Sequence, residues 1–160
     1  MFYNPRPSLR LTVAGLLAAI FLAAPVSRAA AVNAPTVITL TQTPCQFLEP
    51  EGQDYGYEST AKADCVRINA DTGDARLANV TPMQLKPGKY VFRVTNRNVP
   101  YVLGFYLRGT GLGRLTLPAV SGGGLQTGYA QDYEIELTKG EYVYSCPLNP
   151  TPDYPIIVRD

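Results

Sequence analysis

Histidine and tryptophan are absent from this 160-residue chain. Without imidazole, a cysteine or serine has no histidine base beside it, which excludes nucleophilic catalysis of that kind. Paired carboxylates suited to acid–base work have no recognisable spacing either, so the chain reads as a non-enzyme. Charge is sparse, with 14 basic and 13 acidic residues. No run of like charge and no basic helix occurs, which leaves no electrostatic case for nucleic acid or an anionic membrane surface. Cysteine is scarce: Cys45, Cys65 and Cys146 make an odd set, so at most one internal bridge forms and one thiol is left over. No internal repeat is apparent.

A single long apolar run stands out, Leu11 to Ala24, behind Arg6 and Arg10 and ahead of the small residues Ala29, Ala30 and Ala31. This is the pattern of a signal peptide over 1–31, with cleavage after Ala29 or Ala31. A run of about 14 residues is shorter than the ~20 that cross a bilayer, so the mature form is expected to have no membrane span. Loss of Arg6, Arg10 and Arg28 leaves 11 basic against 13 acidic residues, net −2. The expected location is periplasmic or secreted, where disulfides persist. Residues 32–160 suit one domain.

Glycine and proline, 14 of each, punctuate the chain and favour short strands joined by turns. Thr36 to Thr41 is β-branched and reads as a first strand that ends before Pro44. The acidic stretch Glu49 to Glu58 reads as a loop. Ser59 is an N-cap candidate for a short helix through about Asn69, with Gly73 just beyond its end. From Met83 onward the pattern is almost entirely β. Tyr90, Phe92 and Val94 alternate with Val91, Arg93 and Thr95, and Tyr133, Ile135 and Leu137 alternate with polar neighbours. Tyr101 to Leu107 is a strand with Gly104 at a bulge or close approach. Arg114 to Leu117 is a short strand, and Tyr142 to Cys146 and Tyr154 to Val158 close the domain. Ser121-Gly122-Gly123-Gly124 fails as a phosphate cradle, because no Lys-Ser/Thr follows and no helix opens there, and it reads as a flexible loop.

The segment Lys139-Gly140-Glu141-Tyr142-Val143-Tyr144-Ser145-Cys146-Pro147 resembles the cupredoxin signature, in which a glycine turn leads through alternating aromatics to a cysteine ligand. Leu85-Lys86-Pro87-Gly88-Lys89-Tyr90-Val91-Phe92-Arg93-Val94-Thr95-Asn96 resembles the core strand of the same family and its following Asn. The resemblance implies an all-β, cupredoxin-like Greek-key β-sandwich with one short helix in an insertion after the first strand. It also implies where ligands would stand: Tyr101 after Val99-Pro100, Asn149 soon after Cys146, and Tyr154 near the axial position. All three are vestigial ligand positions, and a blue-copper centre, which needs two imidazoles and a thiolate, is excluded.

The chain is also similar to the EfeO-type cupredoxin-like domain of bacterial iron-uptake proteins. Cys45 after the first strand and Cys146-Pro147-Leu148-Asn149-Pro150 carry that similarity, and Pro82-Met83 matches a Pro-Met pair, which makes about 48–81 an insertion. That resemblance implies a metal site of Cys146 with Cys45, although the family's Glu is replaced near Gly104 or Phe105. Two thiolates suit copper as Cu(I).

Oxidation competes with such a site. A Cys45–Cys65 bridge would close a loop of about 20 residues, add ~3 kcal/mol and anchor the insertion, leaving Cys146 free. This pairing is favoured because an insertion with its own Cys needs anchoring, while a Cys45–Cys146 bridge stays open. The acids Glu49, Glu51, Asp54 and Glu58 match no EF-hand spacing and read as a solvated loop. Tyrosine is abundant at 11, and Tyr142 and Tyr144, which share the parity of Cys146, are expected in the core. Asn79-Val80-Thr81 fits a glycosylation sequon. The functional expectation is copper or iron handling through cysteine. The alternative is a metal-free binding or assembly module with a periplasmic protein partner.

Overall fold

The computed structural model describes Met1 and residues 34–160; the signal peptide read over 1–31 lies, Met1 apart, outside the described residues. Alternating burial along the strands sets the architecture. The first strand, β1 (Thr36–Thr43), runs two residues further than its β-branched stretch, to the residue before Pro44. It turns into β2 (Gln46–Phe47) and the four-residue α1 (Leu48–Glu51). After α2 (Lys62–Leu77) come β3 (Met83–Leu85) and β4 (Gly88–Asn96). The chain continues through β5 (Leu103–Gly109), α3 (Gly113–Thr116), β6 (Val120–Leu125), β7 (Ala130–Leu137), β8 (Gly140–Ser145) and β9 (Tyr154–Val158).

Two sheets result, ordered β2-β1-β4-β7 and β3-β9-β8-β5-β6. Strand β1 lies parallel to β4, with Thr36 opposite Tyr90, and β3 lies parallel to β9; the remaining pairs are antiparallel. This is the two-sheet, cupredoxin-like sandwich that the sequence implied. Its core is aromatic: Phe92 and Phe105 stack at 5.6 Å, Phe105 meets Tyr133 at 5.0 Å, and Phe47 meets Tyr144 edge-on at 5.2 Å. Tyr142 and Tyr144 are buried as expected. No helix among the described residues is long and apolar enough to cross a membrane.

Three local expectations are corrected. The helix begins at Lys62 rather than at Ser59 and extends to Leu77, with Gly73 inside it. The start is fixed by Asp64, whose carboxylate accepts the Thr60 and Ala61 N–H groups at 3.0 and 3.1 Å. Such an acid in the first turn satisfies orphan donors and favours the dipole. A Cβ at Gly73 would meet Asn69 Cβ at 3.6 Å and Pro152 Cγ at 3.8 Å, ordinary contact distances, so the helix runs through this glycine without needing it. Residues Arg114–Thr116 belong to a helical turn rather than a strand, because α3 folds back on Gly109, where any Cβ would sit 2.5 Å from the Gly113 carbonyl oxygen. The glycines at 122–124 lie in β6 rather than in a loop. Gly104 brings β5 and β6 together, since its Cβ would lie 2.6 Å from Gly122 O, and Gly122 makes room for the Tyr133 ring.

Candidate functional site

Cys146 leaves the end of β8 fully buried, and the loop that follows carries Asn149 back toward β1. The backbone N–H of Asn149 donates to Cys146 Sγ at 3.2 Å. Gly104 and Leu148 N–H groups and the Gln42 side chain also face this sulfur. Burial pushes the Cys146 thiol up from the ordinary cysteine range, and these donors pull against it. Gln42, near the end of β1, donates through Nε2 to Gly104 O at 2.8 Å. Its Oε1 is buried and finds no hydrogen-bond partner among the described residues. A buried amide oxygen left this way forfeits about 1–3 kcal/mol.

Asn149, itself fully buried, ties this thiol to the other two cysteines. Its Nδ2 donates to Thr43 O at 2.9 Å, and its Oδ1 accepts the Cys45 N–H at 2.9 Å. The same Oδ1 lies 3.0 Å from Cys65 Sγ. Cys65 is bonded to Cys45, the favoured pairing, with Cα atoms 4.8 Å apart. Cys146 is the remaining free thiol. In this bridged form the Cys45 sulfur is bonded to Cys65 on the first turn of α2, so Cys146 has no second free thiol beside it. Among the described residues there is no group of three or more His, Cys, Asp or Glu side chains arranged to hold a metal ion. Cys45 also has φ +67°, the left-handed region, in the turn after Pro44. That conformation costs a non-glycine residue about 1–2 kcal/mol, and the bridge and the bond to Asn149 hold it there.

The vestigial ligand positions divide. Tyr101 joins the cysteine cluster, since its hydroxyl bonds Ser59 Oγ at 2.6 Å and donates to Asn149 Oδ1 at 3.4 Å. Burial raises its pKa, and nearby Cys146 adds to the rise. Asn149 lies at the centre of the cluster. Tyr154 turns elsewhere: its hydroxyl accepts the Phe47 N–H at 3.2 Å and donates to Glu51.

That second network is invisible in the sequence. Arg76 and Glu51 pair almost wholly out of water, with side chains 4% and 1% exposed. The guanidinium donates to Glu51 at 2.7 and 2.8 Å, to Asn69 Oδ1 at 2.6 Å and to Cys45 O at 3.1 Å. It also lies over the rings of Tyr55 and Tyr57, at 5.4 and 5.1 Å. Burial opposes the Arg76 charge, and the pairing with Glu51 outweighs it, so the group stays protonated. Of the acids read as a solvated loop, Glu51 is internal and meets Arg76, while Glu49, Asp54 and Glu58 are exposed, Glu49 accepting the Thr41 N–H at 2.7 Å and Asp54 pairing with Arg97 at 2.7 Å at the surface.

No protein-family model matches the chain, and no curated protein matches it. Among solved structures it is similar to the reduced Cu(I) form of an amicyanin variant, at 14% identity and TM-score 0.43, covering 79% of this chain and 85% of that one. A second reduced amicyanin variant has 14% identity and TM-score 0.44, with the same coverage. Auracyanin B has 12% identity and TM-score 0.49, covering 80% of this chain and 92% of that one.

Proposed function

We propose that this chain is an exported, non-catalytic cupredoxin-like protein that handles copper as Cu(I) through Cys146, in place of the type 1 blue-copper centre its residues cannot build. One observation carries the reading: a free buried thiol is faced by the N–H groups of Gly104, Leu148 and Asn149 and by the Gln42 side chain. A thiolate suits a soft, monovalent ion, and N–H donors offset the charge it brings into the interior. Bound copper would supply a Lewis-acidic, redox-active ion; the protein's part is to desolvate it and fix the sulfur. Iron is the weaker candidate, because it favours carboxylates, and Glu51 is paired with Arg76 while Glu49 and Asp54 hold the Thr41 N–H and Arg97 at the surface.

Titration with Cu(I) against a chromophoric chelator is the test. The protein is expected to bind one ion and Cys146→Ser to bind none, with circular dichroism unchanged in the variant. Binding retained by Cys146→Ser would move the site elsewhere. A second reading, a metal-free module that binds a periplasmic partner, is favoured by the way Tyr101, Asn149 and Tyr154 are spent on internal hydrogen bonds. Failure of both proteins to take up Cu(I) supports it. Export is checked separately, by sequencing the N-terminus of the protein recovered from cell fractions.

A further inference from the structure

Strand β1 is paired along one side only. It lies against β4 from Thr36, opposite Tyr90, to Gln42, opposite Asn96, while its other side meets β2 at Gln42 and Thr43 alone. In an extended strand the N–H and C=O of one residue point to one side and those of the next to the other. Gln42 O accepts the Arg97 N–H on the β4 side, and the Thr41 N–H donates to the Glu49 carboxylate at 2.7 Å on the outer side. Val37 and Thr39 share the parity of Thr41, so their N–H and C=O groups point outward, where no strand among the described residues meets them. The open stretch is bounded at both ends, by Glu49 on the Thr41 N–H and by Pro35, which has no N–H to offer. Between these bounds Thr36, Val37 and Thr39 are exposed, Val37 at 49%, and Ile38 is half-buried against the core.

The other sheet edges are defended. Strand β7, at the far edge of the same sheet, carries Asp132, Glu134 and Glu136; β3, at one edge of the second sheet, is three residues long, and β6, at the other, is weakened by Gly122, Gly123 and Gly124. Charge and shortness are means by which an edge rejects an added strand. From Thr36 to Thr43, β1 has no charged residue and no proline. We propose that β1 is a self-association edge: β1 of a second copy lies antiparallel to it about a twofold axis at Ile38, joining the two β2-β1-β4-β7 sheets into one. About that axis Val37 stands opposite the second copy's Thr39, and Thr39 opposite its Val37, so each outward N–H finds a carbonyl. Thr36 stands opposite Leu40, and the two Ile38 residues meet on the core-facing side. Thr41 falls opposite Pro35, so its bond to Glu49 is kept. A twofold brings each side chain close to its own kind, which neutral β-branched residues tolerate and the acids of β7 would not. The pairing uses no atom of Cys146 and is independent of the copper reading.

Sedimentation velocity of the purified chain from about 1 µM to about 1 mM is the test. The strip from Thr36 to Leu40 is far smaller than a standard interface, so a reversible dimer with Kd of about 10–100 µM is expected. Val37→Lys with Thr39→Lys sets like charges across the twofold and is expected to raise Kd at least about 10-fold, and the matching pair of glutamates should do the same. Mixing the lysine and glutamate variants is expected to restore a dimer containing one copy of each. Both positions are exposed, and circular dichroism checks that the variants fold. Amide exchange in the unaltered chain gives a readout that needs no variant. Val37 and Thr39 should slow as concentration rises, while Thr41, bonded to Glu49 in either state, should not. A chain that stays monomeric throughout, a dimer that the lysine variant leaves intact, or unchanged exchange at Val37 and Thr39 overturns the proposal. So does failure of the two folded charge variants to pair with each other.

Discussion

Arg76 is a cation whose guanidinium is removed from water, and its position decides what a substitution there does. Replacing it with leucine leaves Glu51 buried without its counter-charge, with only the Tyr154 hydroxyl as a partner. The expected loss is about 3–5 kcal/mol by urea denaturation. The double replacement of Arg76 and Glu51 by leucine should recover part of it, because neither charge is then stranded. Tyrosines carry a second residue-scale prediction. Burial pushes the Tyr133 hydroxyl up to about 12, and Tyr144 and Tyr154 are raised as well. The folded state holds these protons when the unfolded chain, near pH 10, gives them up. Their contribution is complete below about pH 10 and lost as pH rises through 12. Ionisation of Tyr133, Tyr144 and Tyr154, followed through their own ring resonances, should accordingly coincide with the loss of near-ultraviolet dichroism. Ionisation of these three in a protein that stays folded would contradict this assignment.

At the scale of elements, α2 is a helix with no apolar stripe, and Cys65, Gly73 and Arg76 are its buried positions. It is held by a disulfide at its start, by Asn69 bonds to Cys45 O and Pro150 O in the middle, and by Arg76 near its end. Loss of the bridge should therefore cost more than the helix's apolar contacts can replace. Cys45→Ala with Cys65→Ala is expected to lower stability by about 3 kcal/mol, seen as a fall in Tm of about 10 °C. Two glycine substitutions should go in opposite directions. Gly73→Ala adds a methyl at ordinary contact distance inside a helix and should stabilise by about 0.5–1 kcal/mol. Gly104→Ala drives a methyl into Gly122 O and should destabilise by about 1–3 kcal/mol, with loss of amide protection in β6. Such backbone encounters explain what sequence could not reveal. Alternation at Tyr90–Val94 and Tyr133–Leu137 marked β4 and β7 directly, because each strand has one buried face. Gly122–Gly124 carried no alternation, and only the approach of Gly104 and Tyr133 makes β6 a strand. The helix start was misplaced because Asp64, at the third helical position, does the capping that Ser59 seemed suited to do.

For the whole molecule, the site was legible in part. Cys146 and Asn149 at the last hairpin and Tyr101 after Val99-Pro100 were named by their resemblance to the cupredoxin pattern, and Asn149 is hydrogen-bonded to both of the others. Gln42 was passed over, since a polar residue at the end of an exposed-looking strand carries no sign of burial. Tyr154 was misplaced because its hydroxyl follows the Glu51–Arg76 pair, which depends on an insertion that spacing cannot dock. The parallel pairing of β1 with β4 has a kinetic consequence. Sitting between β2 and β4, β1 gains most of its sheet partners only after Tyr90 to Asn96 exist, and β4 in turn awaits β7. Closing such distant pairings is slow, because the chain entropy of long loops is lost before the contacts form. A nascent N-terminal fragment consequently has no stable sheet to fold into, and the polypeptide stays threadable until its second half has emerged.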